Sequence, residues 1–120
     1  MGITTTGSIP KFYPGEYWAF SVTITKNGVA PDISGDVVTC TVKDTQGEAD
    51  ADAELQFNAD VTTSGASGIA IFTRSAAQTG VLTAKVYNVD VWWYPDDNED
   101  HPLVTGTVEC RARISDVPTA

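Results

Sequence analysis

Strict alternation of apolar and polar residues is the feature that most limits how this chain can fold. It is clearest at Trp18, Phe20, Val22 and Ile24 and again at Tyr87, Val89, Val91 and Trp93. Side chains of a strand point alternately to its two faces, so both segments predict strands with one buried face. Asn27-Gly28 follows the first segment and predicts a hairpin, because both turn positions require a positive φ.

The same alternation separates the adjacent tryptophans Trp92 and Trp93. Neighbouring residues of a strand point to opposite faces, so the two indoles cannot both enter one core. With Trp93 in phase with the buried face, we expect Trp92 to be exposed or buried against another subunit.

Further strands are predicted at residues 36–43, 53–61 and 69–74, with a terminal hairpin inside residues 81–114. Residues 75–80 suit either a helical turn or a loop. Short strands at near-regular spacing, without a sustained helical period, predict an all-β fold. The fold class is therefore a single antiparallel β-sandwich, immunoglobulin-like or jelly-roll-like, with an extended N-terminal arm.

The 120 residues suit one domain, so residues 1–120 are taken as a single unit. Residues 1–13 are polar at first and later contain Pro10, which predicts an extended arm. We expect this arm to be ordered only in an assembly. Residues 115–120 are expected to form a C-terminal tail.

Charge narrows the range of partners. The chain has 16 acidic and 7 basic residues and a formal net charge of −9. Such a surface repels nucleic acids and anionic membranes, so neither is expected as a partner. The start MGITTTGSIP lacks the basic and apolar parts of a signal peptide, and no apolar run approaches the roughly 20 residues of a membrane span.

The two cysteines, Cys40 and Cys110, each fall on the apolar phase of a predicted strand. Buried, reduced thiols are the expected state, although a disulfide between them is left open. The single histidine, His101, cannot complete a zinc site with them. No metal and no cofactor are therefore expected.

Two acidic clusters invite a closer comparison. In the loop at residues 96–100, Asp96, Asn98 and Asp100 match the first ligand positions of an EF-hand, but His101 replaces the glycine and Thr107 the glutamate. Two interpretations of this loop remain, a calcium site of looser geometry and a solvated hairpin tip. The second cluster includes Asp44, Glu48, Asp50, Asp52, Glu54 and Asp60. It is interpreted as a solvated face, as an edge that docks a basic protein, or as a charged edge that prevents aggregation between sheets.

Catalytic motifs are missing from the sequence. No serine lies in a GxSxG elbow, and a triad at His101 would need partners from elsewhere in the chain. Paired carboxylates of a glycosidase are defined by their separation in three dimensions, so the sequence leaves that alternative open. We expect no enzyme activity and assign no catalytic residue.

Aromatic residues remain as candidates for binding. Phe12, Tyr13, Trp92 and Tyr94 are the predicted interface anchors, since aromatic side chains are enriched at protein interfaces. In this interpretation Trp18 and Trp93 pack in the core. The alternative is a platform of Trp18, Trp92, Trp93 and Tyr94 on which sugars stack.

Residues 81–114 resemble small immunoglobulin-like β-domains of tailed-phage virions. In those domains a Tyr-Asp-Val strand precedes a polar tip and a Leu-Leu-Ser-Gly-x-Val-x-Val return strand. The corresponding pieces here are Tyr87-Asn88-Val89-Asp90-Val91 and Leu103-Val104-Thr105-Gly106-Thr107-Val108. Phe20-Ser21-Val22-Thr23-Ile24-Thr25 with Asn27-Gly28 is similar to their first hairpin, as is Ser75-Ala76-Ala77 to a connector.

The resemblance implies a non-enzymatic virion structural protein, made in the host bacterial cytoplasm and located in the virion. Because no stalk or coiled coil precedes Ala120, we expect a capsid decoration or cement protein that bridges capsid subunits. Its expected partners are the major capsid protein or other virion subunits, with a homo-oligomer in the assembly. A tail or baseplate module and a carbohydrate-binding module are the alternatives.

Overall fold

A computed structural model describes residues 3–44, 53–95 and 100–111 of the chain. Seven strands make up most of these residues. They are β1 (Ile3–Thr6), β2 (Trp18–Lys26), β3 (Val37–Lys43), β4 (Leu55–Asn58), β5 (Ile69–Arg74), β6 (Lys85–Tyr94) and β7 (His101–Cys110). A single helical turn, α1 (Ala76–Thr79), joins β5 to β6, and a short 3-10 turn at Gly65–Ser67 precedes β5.

The strands form two antiparallel sheets, which confirms the predicted β-sandwich. One sheet has the order β1-β2-β5 and the other β4-β3-β6-β7. The chain thus changes sheet between β2 and β3, between β4 and β5, and between β5 and β6. Strands β1-β2-β5 and β3-β6-β7 follow the A-B-E and C-F-G orders of immunoglobulin-like sandwiches, and β4 pairs with β3, on the side where variable-type domains add strand C′.

The first hairpin turn follows the sequence closely. Asn27 and Gly28 have φ angles of 55° and 81°, as a type I′ turn requires. Lys26 and Val29 exchange both backbone hydrogen bonds, at 2.8 and 3.1 Å. The return segment after Val29 forms only this one bridge, and β4 is shorter than predicted, at Leu55–Asn58.

The core between the sheets is built around Trp18 of β2. Its ring stacks on Phe12 at 4.4 Å between centroids and meets Phe57 edge-on at 6.2 Å. The indole Nε1–H donates to the carbonyl oxygen of Pro10 at 3.0 Å, so the one polar atom of this side chain has a partner. Burial of the predicted apolar faces of β2 and β6 therefore gives a single core.

The N-terminal segment is extended, but its described part belongs to the domain, which corrects the expectation of an arm ordered only in an assembly. Ile3–Thr6 pairs with β2. Phe12 is completely buried, donates its N–H to the Glu109 carbonyl at 3.0 Å and accepts from the Arg111 N–H at 2.8 Å. The prediction failed because the apolar residues of this segment complete the core.

A tyrosine corner fixes the connection between the sheets. Tyr87, 2% exposed at the start of β6, donates its hydroxyl to the Thr83 carbonyl at 2.8 Å and accepts from the Thr83 N–H at 3.2 Å. Such a corner is a mark of immunoglobulin-like sandwiches. Just upstream, α1 begins with a capping box between Ser75 and Gln78, so the helical-turn alternative for residues 75–80 is the one observed.

Both cysteines are buried and free, as expected. Cys40 lies opposite Val91 and Cys110 opposite Lys85, six residues apart along β6. At the strand rise of about 3.3 Å per residue this is ~20 Å, far beyond the Cα separation of a disulfide. The disulfide alternative is thereby excluded within this fold.

Candidate binding surface

The outer face of the four-stranded sheet is the surface on which Trp92 lies. In β6, the side chains of Tyr87, Val89, Val91 and Trp93 are buried and those of Asn88, Asp90 and Trp92 are partly exposed. The predicted separation of Trp92 from Trp93 is thus confirmed. The Trp93 Nε1–H reaches Asp36 Oδ2 at 3.0 Å, while the Trp92 Nε1–H donates to Asp90 Oδ2 at 3.1 Å.

Four apolar side chains adjoin one another at one end of this outer face: Val37, Trp92, Tyr94 and Pro102, here called the apolar end. Val37 lies opposite Tyr94, and Trp92 opposite Pro102. Directly opposed side chains on a sheet are about 5 Å apart at Cβ, so these pairs touch or nearly touch. Val37 is 44% and Tyr94 40% exposed. The apolar end is therefore a continuous accessible patch.

A β-bulge contributes to the shape of the apolar end. The register between β6 and β7 shifts at Val91/Trp92, where Val104 is opposite Val91 but Pro102 is opposite Trp92. Leu103 is the extra residue and packs against the core. Because of this shift, Pro102 comes beside Trp92 on the outer face.

The four predicted interface anchors lie in three different places in the structure. Trp92 and Tyr94 lie together on the outer face. The prediction for Phe12 is wrong, because its side chain is part of the core and offers no surface to a partner. Tyr13 is half-buried beside the Phe12–Cys110 bridge, seven residues of β6 away from Trp92, or ~23 Å. Val37 and Pro102 were missed, because only the strand register places them beside the aromatic pair.

Next to the apolar end, the outer face becomes polar. Thr39 donates to Asn58 Oδ1 at 2.7 Å, and Gln56 Nε2 donates to the Thr41 hydroxyl at 3.2 Å. Asp90 and Thr105 continue this row across β6 and β7. The row offers hydroxyl, amide and carboxylate groups around one side of the Trp92 indole.

Cavities in the described chain are poor sites for a small molecule. A depression on the outer face between Lys43, Asp90 and Thr105 holds about 90 Å³, against the roughly 300 Å³ or more of a typical ligand pocket. A wider open groove of about 420 Å³ runs along Tyr13, Lys85 and Arg111. Its cations already pair with Asp44 and Glu109, and the chain continues from it into residues 112–120, outside the described part.

The Cys40 thiol is held in an unreactive setting. Burial, with a smaller contribution from the charge of Asp90, raises the pKa of Cys40 to about 12, which removes it as a thiolate nucleophile. The ring of His101 lies 5.2 Å from that of Trp93. Within residues 3–44, 53–95 and 100–111, no three His, Cys, Asp or Glu side chains form a group able to hold a metal ion.

Several predicted features fall outside the described residues. In the acidic loop at 96–100 only Asp100 is described, and in the second acidic cluster Glu48, Asp50 and Asp52 are not, so the calcium and docking-edge interpretations stay predictions. The described helices are all too short to cross a membrane.

Comparisons with known proteins give little further guidance. No family model and no curated protein matches the chain. A polysaccharide deacetylase from Bacillus cereus matches among solved structures, with 11% identity and a TM-score of 0.48. The match covers 91% of this chain but 30% of the deacetylase. At this identity and TM-score the similarity supports neither a fold nor an activity for the chain.

Proposed function

We propose that this protein is a non-enzymatic structural protein of a tailed-phage virion that attaches to other virion subunits through the apolar end of its outer face. The observation that carries the proposal is the continuous patch of Val37, Trp92, Tyr94 and Pro102. Exposed apolar patches with an aromatic centre and a polar surround are typical of protein interfaces. The resemblance of residues 81–114 to phage domains supplies the kind of partner.

Within the virion, a capsid decoration or cement role is proposed, with the major capsid protein as partner and several copies in the assembly. A tail or baseplate module is the alternative location. The N-terminal segment no longer supports bridging by a free arm, because its described part is built into the domain. Bridging must then use the sandwich surface, where many modest contacts over a lattice add up to firm attachment.

The test is co-sedimentation of the purified protein with capsids and, separately, with tails of the phage that encodes it. Trp92→Ala and Val37→Asp are expected to lower binding at least ten-fold. Tyr17→Ala is the matched control, since Tyr17 is 63% exposed and precedes β2, in the other sheet. Binding to neither particle, or equal binding by all variants, would contradict the proposal.

A carbohydrate-binding module is the second candidate, favoured by the polar row beside Trp92. Indole faces stack on sugars, and Asp90 with Asn58 and Thr39 could bind hydroxyl groups. Retention on a polysaccharide affinity gel separates the two candidates. A sugar site loses retention with Trp92→Ala and Asp90→Ala and keeps it with Val37→Asp, whereas a protein interface is most sensitive to Val37→Asp.

A further inference from the structure

The backbone of β7 has an outer edge with few strand partners in the described chain, although β1 lies close to β7 in space. Phe12 bridges β7 at Cys110, and no other pairing among residues 3–44, 53–95 and 100–111 lies on that side of β7. The remaining strand edge runs over residues 103–108, with the sequence LVTGTV. These residues are here called the open edge.

The Phe12 bridge also shows which backbone groups point outward. The Glu109 carbonyl accepts from Phe12, and the Arg111 N–H donates to Phe12, so both groups face away from β6. Residues two apart on a strand direct their N–H and C=O groups to the same side. Thr105 and Thr107 therefore direct theirs away from β6, where an added strand would meet them.

The open edge has few of the features that usually prevent strand addition, apart from the bulge at Leu103 where it begins. Natural edges are shortened, charged, interrupted by proline or covered, because unpaired backbone groups attract other chains. The open edge has six consecutive uncharged residues without proline. By contrast, β1 and β4 have four residues each, and β5 is bridged on its outer side by Asp60.

Room for a side chain exists beside this edge. Gly106 is on the inward phase of β7, between Val104 and the buried Val108. A Cβ built on Gly106 would meet no atom within 4 Å. An incoming strand can therefore place an apolar side chain next to Gly106 and extend the core at its margin.

We propose that the open edge of β7 is a site of strand addition for an extended, basic segment of a partner protein, with apolar residues at alternate positions. The inference rests on the proposed function only in taking the partner to be a protein. Backbone hydrogen bonds to Thr105 and Thr107 give the affinity, and the gap at Gly106 accepts an inward side chain. The charge of −9 attracts a basic segment and repels a second copy of the chain.

The probe is a capped peptide of about nine residues, alternating Lys and Val, which is the length of an ordinary strand. Amide hydrogen exchange is followed residue by residue, with and without the peptide. Exchange at Thr105 and Thr107 is expected to slow at least ten-fold, while Gly106 and Val108, whose backbone groups face β6, change little. A Glu-Val peptide and a Lys-Val peptide with central prolines are expected to bind at least ten-fold more weakly.

Thr107→Pro removes an outward donor without removing a hydrogen bond to β6, and Thr107→Ala is its matched control. The proline variant is expected to lose at least ten-fold in peptide affinity and the alanine variant to bind normally. Amide exchange in the wild-type protein tests strand addition even if the proline variant does not fold.

Four results would each overturn the inference: no binding of the Lys-Val peptide, protection elsewhere than at Thr105 and Thr107, equal binding of the acidic peptide, or pairing of β7 with a second copy. Capsid binding lost with Trp92→Ala but unaffected by Thr107→Pro would overturn it as the mode of attachment and leave the proposed function standing.

Discussion

The outer edges of β5 and β7 differ in how much of their backbone is hydrogen-bonded to another segment. The outer side of β5 is closed at its centre, where Asp60 and Ile71 exchange backbone hydrogen bonds of 2.7 and 3.0 Å. Among the described residues, the outer side of β7 is bridged only at its end, by Phe12. One edge is thus blocked by a few local residues, and the other has no strand partner along residues 103–108 in the part of the chain that the structure describes.

The difference lies in the sequence next to each edge. Asp60 is held in place by the two threonines that follow it: the Thr63 hydroxyl donates to Oδ2 at 2.7 Å, and the Thr62 N–H and hydroxyl both donate to Oδ1 at 2.9 Å. This turn fixes the loop that bridges β5. Phe12, by contrast, is fixed by burial of its ring, and no comparable turn extends its pairing along β7. A closed edge therefore needs a nearby anchor, and β7 has its anchor at one end only.

Removing the buried ring of Phe12, which closes the end of β7, should have the largest effect on stability. Phe12→Ala deletes a fully buried ring that stacks on Trp18, so we expect a loss of about 3–5 kcal/mol in the free energy of unfolding. Urea denaturation followed by tryptophan fluorescence measures it. Tyr13→Ala, at the half-buried neighbour, is the control and should cost much less. A small effect of Phe12→Ala would restore the idea of a dispensable arm.

The corner that connects the β5 side of the molecule to the β6–β7 hairpin should have the next largest effect. Tyr87→Phe removes the hydroxyl that bonds the Thr83 backbone and leaves the aromatic ring in place. We expect a loss of about 1–2 kcal/mol in the free energy of unfolding, because the Thr83 groups lose a buried partner. Thr83→Ala keeps the backbone bonds and should cost less. Equal effects of the two variants would mean that the corner contributes nothing specific.

The closed edge of β5 should show its own dependence on pH. Hydrogen bonds from Thr63 and then Thr62 lower the pKa of Asp60 from 3.8 to about 2. A carboxyl whose pKa is lower in the folded state contributes stability above its unfolded pKa and loses it as the pH falls. Stability should therefore drop between about pH 4 and pH 2 more in the wild type than in Asp60→Asn. Parallel curves for the two proteins would remove Asp60 from this role.

Local patterns predicted the faces, and long-range pairing decided the edges. Alternation in β2 and β6 and the Asn27-Gly28 turn could be read directly, since each depends on neighbours in sequence. The burial of Phe12 could not, because its partner Cys110 lies nearly the whole chain away. The same limit applies to the candidate site. Trp92 was predicted from its own strand, whereas Val37 and Pro102 required the register of β3 and β7 against β6.

Cysteine reactivity offers the most delicate test of the closure of β7 by Phe12, since labelling under native conditions reports local opening of the folded protein separately from its overall stability. Burial raises the pKa of both thiols, so neither should react with a thiol reagent in the folded wild type at neutral pH. Cys110 lies directly under the Phe12 bridge, whereas Cys40 is in the centre of the sheet, between β4 and β6. Phe12→Ala should therefore speed the labelling of Cys110 under native conditions far more than that of Cys40. Mass spectrometry of the labelled peptides separates the two sites, and Tyr13→Ala again serves as the control. If both cysteines accelerate together, the variant opens the whole core; if Cys110 alone responds, Phe12 is the local closure that makes one end of β7 unlike the rest of its edge.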